Sequence, residues 1–195
     1  MRIALLDDHR LLLDSLAFRF DHDPSIRVVG MAETTEEARS IVSEQQPDIL
    51  ILDLTLSTGG TLELCDEINR EQSSTKICFL TSNLVNIFIE QALRLEVHGY
   101  LLKQESLEKL LEAIHRIHQG EQVFSNEVQQ RLKFNRQSRK FTVDAPHNLK
   151  KLTTRQIEVL RQLARGKSVK EVAKDLHLST KSIDSHKYRI MHKLG

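Results

Sequence analysis

The run of residues 48–56, DILILDLTL, constrains the fold of this chain more than any other stretch. Its apolar centre predicts a β-strand buried on both faces, and such short Ile/Leu runs are typical of parallel sheets. The strand ends on Asp53. In open α/β sheets, ligands bind just beyond the carboxyl ends of the strands. Asp53 is therefore the first candidate functional residue.

Three further apolar runs also end on polar residues. The runs at 3–6, 77–80 and 98–102 are followed by Asp7 and Asp8, by Thr81 and Ser82, and by Lys103. Carboxylates, a hydroxyl and an ammonium at neighbouring strand ends form a pocket suited to Mg²⁺ and a phosphoryl group. A polar residue after any one strand is also expected simply because strand ends are exposed. The whole ordered set is much harder to obtain by chance.

The apolar pattern predicts the fold class. Strand-like runs at 2–6, 27–32, 49–53, 77–81 and 98–102 alternate with segments of helical period. Five βα units with short connections predict an α/β fold with a doubly wound, five-stranded parallel sheet. Thr34 and Glu37 form a capping-box pattern where the second helix should begin.

Composition excludes several classes of protein. No apolar stretch approaches the ~20 residues of a membrane span, and the N-terminus lacks the layout of a signal peptide. We therefore expect a cytoplasmic protein without a membrane partner. The chain has two cysteines, Cys65 and Cys78, both within apolar patterns. Buried free thiols are expected rather than a disulfide or a metal site.

The net charge of +1 conceals a division along the chain. Residues 1–122 hold 11 Lys/Arg against 21 Asp/Glu, whereas residues 150–195 hold 12 against 4. A short basic segment behind an acidic domain indicates nucleic acid as a partner, although a solvated basic surface is the simpler alternative. Residues 123–148 are polar and basic, and we interpret them as a linker that begins as a helix and continues as a tether.

Residues 149–195 have the pattern of a small all-α domain. Thr153 with Gln156, and Ser168 with Glu171, predict two capped helices. A third helix, capped by Ser179, would carry several basic residues. A short helix, a tight turn and a basic helix are typical of a helix-turn-helix, whose second helix enters the major groove of double-stranded DNA.

Residues 1–122 resemble the receiver domain of two-component response regulators over nearly their whole length. The motifs that carry the resemblance are Asp7-Asp8-His9, Asp53-Leu-Thr-Leu, Thr81-Ser82 and Gly99-Tyr100-Leu-Leu-Lys103. The resemblance implies a flavodoxin-like fold and a phosphoryl group accepted by Asp53 from a sensor histidine kinase. It implies a Mg²⁺ cofactor held by Asp8, Asp53 and the Thr55 backbone carbonyl, with Asp7 acting through water.

The same resemblance assigns two further roles. Thr81 and Lys103 would contact phosphoryl oxygens, and Tyr100 would be the switch aromatic that turns inward when Thr81 moves towards the phosphate. Tyr100 could instead be an ordinary strand aromatic. One departure follows the acceptor, where residues 57–61 read STGGT and lack the family's usual proline. Two adjacent glycines imply a looser loop there.

The C-terminal segment resembles the LuxR-type helix-turn-helix of NarL/FixJ-type response regulators. The resemblance rests on Leu-Thr-x-Arg-x-x-x-Val-Leu at 152–160, on Leu178-Ser179 and Ser182-Ile183, and on Lys193-Leu194-Gly195. It covers three of that domain's four helices, since the family continues into a dimer-forming helix and this sequence stops at Gly195. The DNA-contacting positions that it implies are Lys181, Ser182, Asp184, Ser185, Lys187 and Tyr188.

These observations predict a DNA-binding transcriptional response regulator that pairs as a homodimer when Asp53 is phosphorylated. It would be no enzyme beyond its own phosphorylation and dephosphorylation. The alternatives are a binding module with a vestigial acceptor site and an aspartyl-phosphate phosphatase. Phosphatases of that kind usually carry a second acid two residues after the nucleophile, where this chain has Thr55. From the opposite charges of the two domains we also expect the receiver to cover the DNA-reading helix at 182–189.

Overall fold

The computed structural model describes residues 1–136 and 139–194. Its first part alternates strands and helices, as the sequence predicts. These elements are β1 (Arg2–Leu6), α1 (Arg10–Phe20), β2 (Arg27–Ala32), α2 (Thr35–Gln45), β3 (Ile49–Leu52), α3 (Thr61–Arg70), β4 (Lys76–Thr81), α4 (Asn86–Arg94), β5 (Gly99–Leu102) and α5 (Leu107–His118).

The strands form one parallel sheet in the order β2-β1-β3-β4-β5-β6, where β6 is Val123–Phe124. The doubly wound α/β class is therefore confirmed, but the predicted count of five strands was wrong. The sixth strand pairs with β5 through Gly99 and Tyr100. It is only two residues long, too short to give a periodic signal in the sequence.

Helices cover both faces of this sheet because side chains alternate along the strands. Ile49 and Ile51 of β3 pack in the cluster with α1 and α5, whereas Leu50 and Leu52 pack in the cluster with α2, α3 and α4. The second cluster continues into the C-terminal helices. The sheet thus supports the second domain on the same side as α2 to α4.

Residues 123–148 differ from the predicted tether. After β6 come α6 (Asn126–Gln129), an antiparallel hairpin of β7 (Leu132–Asn135) and β8 (Lys140–Val143), and then α7 (His147–Lys150). Val128 and Val143 are buried, and Phe134 faces Phe141 across the hairpin with ring centroids 5.5 Å apart. These apolar contacts give the segment a packed conformation, which its polar composition did not predict.

Three helices complete the chain: α8 (Thr154–Ala164), α9 (Val169–Asp175) and α10 (Thr180–Leu194). Both predicted capping boxes are present, Thr153 with Gln156 and Ser168 with Glu171. α10 buries Ile183 and Ile190 against the other two helices. Within the described residues, none of the helices has the length and apolar character needed to cross a membrane.

Candidate functional site

Three charged groups meet where β1, β3 and β5 end. Nζ of Lys103 lies 2.6 Å from Oδ2 of Asp7 and 3.1 Å from Oδ2 of Asp53. Asp7 and Asp53 are only 4% and 3% exposed. The parallel sheet brings these strand ends to one edge, so the geometry follows from the topology. Burial lowers the pKa of Lys103, but its bonds to Asp7 and Asp53 outweigh burial and the net shift is upward.

The loop after β3 fixes the side chain of Asp53. The amide nitrogen of Thr55 donates to Oδ1 of Asp53 over 3.0 Å, and the Thr55 hydroxyl lies 3.1 Å from both carboxylate oxygens. The hydroxyl of Thr61, at the start of α3, donates to the backbone carbonyl of Asp53. Asp53 is thus held by neighbours on both sides of the loop.

Asp8 is held by the same loop. Its Oδ2 accepts a hydrogen bond of 2.7 Å from the amide nitrogen of Ser57. Burial raises the pKa of Asp8, but the bonds from Ser57 and the charge of His9 outweigh it, so the pKa is lowered overall. Within the described part of the chain, the buried Oδ1 of Asp8 accepts no hydrogen bond, although Nδ1 of His9 lies 3.2 Å from it. A buried carboxylate oxygen that accepts no hydrogen bond is the kind of atom that a metal ion satisfies.

A divalent cation fits these residues. Asp7, Asp8 and His9 can each direct one ligand atom to a common point, since those atoms all lie within 4.8 Å of one another. Nδ1 of His9 is 3.0 Å from Oδ1 of Asp7. Carboxylate and carbonyl oxygens are the ligands that Mg²⁺ prefers. His9 was quoted in the sequence motif without a role, and its contact with Asp7 is new from the structure.

Thr81 and Tyr100 both contact Asn83, a residue that the sequence did not single out. Thr81 is fully buried at the end of β4, and its Oγ1 accepts from the amide nitrogen of Asn83 over 3.2 Å. The ring of Tyr100 is also buried, 5.9 Å from that of Phe79. Burial raises the pKa of the Tyr100 phenol. Tyr100 therefore already lies inward in this structure, and its role as a switch aromatic stays a prediction.

The predicted DNA-contacting residues lie on the outer surface of α10. Tyr188 is 71% exposed, and Lys181, Asp184, Ser185 and Lys187 are also exposed. Ser182 is half-buried and its amide nitrogen donates to the hydroxyl of Ser179, which begins the helix. Positions 181, 184, 185 and 188 share one face of a helix because they are three or four residues apart.

The expectation that the receiver covers this helix was wrong. The receiver contacts α8 and the turn after α9 instead, through an ion pair of Glu63 with Arg155 and a contact of Glu36 with His177. Net charge predicted that the two domains attract but could not predict which face would be in contact. In this arrangement α10 is open to a ligand.

Comparison with known proteins gives two matches within the chain. Residues 3–115 match the family described as "Response regulator receiver domain", and residues 150–195 match "Bacterial regulatory proteins, luxR family". Among curated proteins, the chain is 31% identical over 198 residues to the "Oxygen regulatory protein NreC" of Staphylococcus aureus. It is 29% identical over 195 residues to the "Uncharacterized transcriptional regulatory protein YvfU" of Bacillus subtilis. Both alignments cover 100% of this chain and 91% of the relative.

Two solved structures of RcsB resemble the whole chain. RcsB from Salmonella enterica serovar Typhimurium bound to promoter rprA in the presence of phosphomimetic BeF3⁻ has a TM-score of 0.70 at 28% identity. Another, of two RcsB dimers bound to two parallel DNAs, has a TM-score of 0.62 at 27% identity. They cover 100% of this chain, and the chain covers 92% and 91% of them.

Proposed function

Because the chain belongs to the response regulator receiver family and carries a luxR-family DNA-binding domain, we propose that phosphorylation of Asp53 controls its binding to DNA. The observation that carries the proposal is the Lys103 ammonium between Asp7 and Asp53, beside a buried Asp8 oxygen that accepts no hydrogen bond. This arrangement combines a nucleophile, a cation and a further carboxylate at one sheet edge.

The residues present suit phosphoryl transfer from a histidine kinase. An oxygen of Asp53 attacks the phosphorus of the kinase's phosphohistidine, the P–N bond breaks, and its electron pair returns to the imidazole. Asp7, Asp8, Asp53 and the Thr55 carbonyl would hold Mg²⁺, which neutralises charge on the phosphoryl oxygens. Lys103 and Thr81 would contact the same oxygens. Such a reaction depends on positioning and electrostatics, so no further acid or base is required.

The switch would run through Asn83. A phosphoryl group that draws Thr81 towards it also acts on the Asn83 amide, and Tyr100 is hydrogen-bonded to the carbonyl of the same residue. The loop between β4 and α4 thereby links the acceptor site to the surface of α4. A change in that surface would lead two chains to pair as a homodimer.

The output would be binding to double-stranded DNA through α10. Lys181 and Lys187 would contact phosphates, Asp184, Ser185 and Tyr188 would face the bases, and Ser182 would contact DNA near the start of the helix. Support comes from the exposed face of α10 and from RcsB, which has been solved on DNA as dimers. A protein with this output would regulate transcription and act in the cytoplasm, where the DNA lies.

Mass spectrometry after treatment with phosphoramidate and Mg²⁺ tests the proposal. The full chain should gain one phosphoryl group, and Asp53→Asn should gain none. Asp14→Asn, at an exposed acid on α1, is the matched control and should be labelled like the unsubstituted chain. Label retained on Asp53→Asn would place the acceptor at another residue. No label on the unsubstituted chain would favour a vestigial acceptor site.

A further inference from the structure

We infer that α8 of the DNA-binding domain is a structural part of the phosphorylation site, in which Arg161 and Glu158 are positioning residues for the metal-binding loop. The loop in question is residues 54–60, between β3 and α3, which we call the acceptor loop. The inference rests on the proposed function of Asp53 and names residues outside the receiver that act on the same site.

Arg161 donates hydrogen bonds to the acceptor loop on either side of Thr55, whose carbonyl is proposed as a metal ligand. Its Nη1 donates to the carbonyl oxygen of Leu54 over 2.9 Å, and its Nη2 to that of Leu56 over 3.4 Å. These two carbonyls flank that of Thr55. The guanidinium therefore fixes the peptide planes before and after the proposed ligand.

Glu158 holds the far end of the same loop. Its Oε1 accepts a bond of 3.1 Å from the amide nitrogen of Gly60 and one of 2.5 Å from Nη2 of Arg161. The Glu158 side chain is 1% exposed and that of Arg161 is 8% exposed. A buried ion pair is stabilising only when further hydrogen bonds satisfy its remaining atoms, and the acceptor loop supplies three such bonds. Within the described residues, Oε2 of Glu158 and Nε of Arg161 have no hydrogen-bond partner.

We call the hydrogen bonds of Arg161 and Glu158 to the acceptor loop the clamp. Ser57 connects this clamp to the proposed metal site. Its carbonyl oxygen accepts from Nζ of Lys167 over 2.5 Å and from Nε2 of Gln162 over 3.4 Å. Its amide nitrogen donates to Oδ2 of Asp8. The DNA-binding domain thus holds the residue whose amide fixes Oδ2 of Asp8, while Oδ1 of Asp8 faces Nδ1 of His9.

The two glycines of the acceptor loop fit this contact. Both have positive φ, +78° at Gly59 and +85° at Gly60. A Cβ on Gly59 would overlap Oε1 of Glu158 and lie 2.6 Å from Nε2 of Gln162, whereas one on Gly60 would approach only Thr35, at 3.3 Å. Gly59 is therefore required for α8 to approach the loop. This accounts for the glycine at position 59 of the loop.

The physical consequence is a coupling between two equilibria. One equilibrium is the docking of α8 on the receiver, and the other is the adoption of the loop conformation that binds Mg²⁺. Both depend on the same hydrogen bonds, so each favours the other to the same extent. A contact that only tethered the two domains would leave the affinity for Mg²⁺ unchanged when broken.

Calorimetric titration of the full chain with Mg²⁺ alone tests the coupling. We expect Arg161→Ala to weaken Mg²⁺ binding by about fivefold or more, the lower range of measured couplings between sites. Arg165→Ala, which removes an exposed cation from the end of the same helix, should bind Mg²⁺ like the unsubstituted chain. Equal affinity of Arg161→Ala and the unsubstituted chain, or no Mg²⁺ binding by either, would overturn the inference.

The rate of phosphorylation by phosphoramidate gives a second measure. In Arg161→Ala the half-saturating Mg²⁺ concentration should rise about fivefold or more, while the rate at saturating Mg²⁺ stays close to that of the unsubstituted chain. Loss of rate at every Mg²⁺ concentration would contradict a positioning role. The two proposals remain distinguishable. Absence of label on Asp53 would refute the proposed function, whereas the Mg²⁺ titration tests whether Arg161 and Glu158 position the acceptor loop.

A pair of glycine substitutions tests the same contact without removing a charge. Gly59→Ala and Gly60→Ala both place Ala in a left-handed conformation, so both carry backbone strain. Only Gly59→Ala collides with α8, and it should weaken Mg²⁺ binding more than Gly60→Ala. Thermal unfolding of both variants establishes that each is folded at the titration temperature. Equal Mg²⁺ affinity of the two variants would contradict the clamp.

Discussion

The buried hydroxyl of Tyr100 donates a hydrogen bond of 2.7 Å to the carbonyl oxygen of Asn83, two residues beyond Thr81. Tyr100→Phe removes this bond and leaves the ring in place against Phe79. The free energy of unfolding should fall by about 1 kcal/mol, the typical net contribution of one hydrogen bond. Urea denaturation measures it. The matched control is Tyr188→Phe, at the chain's other tyrosine, which is 71% exposed and should change nothing.

Lys103→Met should destabilise the protein in the absence of divalent cations. The substitution leaves the buried carboxylates of Asp7 and Asp53 without their shared ammonium, and breaking such a pair costs roughly 3–5 kcal/mol. Mg²⁺ should restore part of this loss, so it should raise the melting temperature of Lys103→Met more than that of the unsubstituted chain. Thermal unfolding with and without Mg²⁺ decides it, with Lys109→Met, at an exposed lysine, as control. If Mg²⁺ raised the melting temperature of Lys103→Met and of the unsubstituted chain equally, Lys103 would not be the cation that neutralises Asp7 and Asp53.

Stability should fall with rising pH because of Glu63. Burial, with Glu158 and Glu67 nearby, raises the pKa of Glu63 to about 7 although Arg155 opposes the rise. A carboxyl whose pKa is raised on folding contributes stability that is full below its unfolded pKa of 4.5 and is lost as the pH rises through 7. The loss can reach roughly 3 kcal/mol, at 1.36 kcal/mol per pKa unit.

Glu63→Gln tests this dependence because glutamine resembles the protonated acid. Its melting temperature should match that of the unsubstituted chain near pH 5 and exceed it near pH 8. Glu44→Gln, at an exposed acid on α2, serves as control and should follow the unsubstituted chain at both values. A constant difference between Glu63→Gln and the unsubstituted chain across this range would refute the assignment.

DNA binding should depend on salt through the cations of α10. If Lys181 contacts one phosphate, Lys181→Ala should reduce the slope of log affinity against log salt by about 0.9. The same holds for Lys187→Ala. Fluorescence anisotropy with a labelled duplex at several salt concentrations measures the slope, with Lys109→Ala in the receiver as control. Unchanged slopes in both α10 variants would place the phosphate contacts elsewhere. Because α10 is exposed, binding should be measurable before phosphorylation.

The sequence was sufficient to predict that Asp7, Asp53 and Lys103 lie together, because parallel strands end at a common edge whatever their exact length. It was also sufficient to predict the C-terminal helices, because their capping residues are local signals. The hairpin was missed because each strand has only four residues and its stabilising contact, Phe134 with Phe141, depends on pairing.

The contact between the domains could not be read from the sequence. Glu158 and Arg161 are spaced like an ordinary ion pair on a solvated helix face, and only the packing of α8 against the receiver buries them. The adjacent glycines were noted as a departure from the family, but their purpose depends on the space that α8 occupies. Net charge likewise carries no information about which face of a domain is in contact.

The burial of Glu158 bears on the construction of chimeric regulators. Swapping output modules between receivers normally treats the connecting segment as the junction and assumes that each half is interchangeable. Here a foreign receiver without a glycine at the position of Gly59 would clash with α8. The Glu158 carboxylate and the Arg161 guanidinium would then lie at the domain interface without their hydrogen bonds to the loop. A functional hybrid of this protein should therefore transplant residues 54–60 together with residues 149–194, although about ninety residues of sequence separate the two segments.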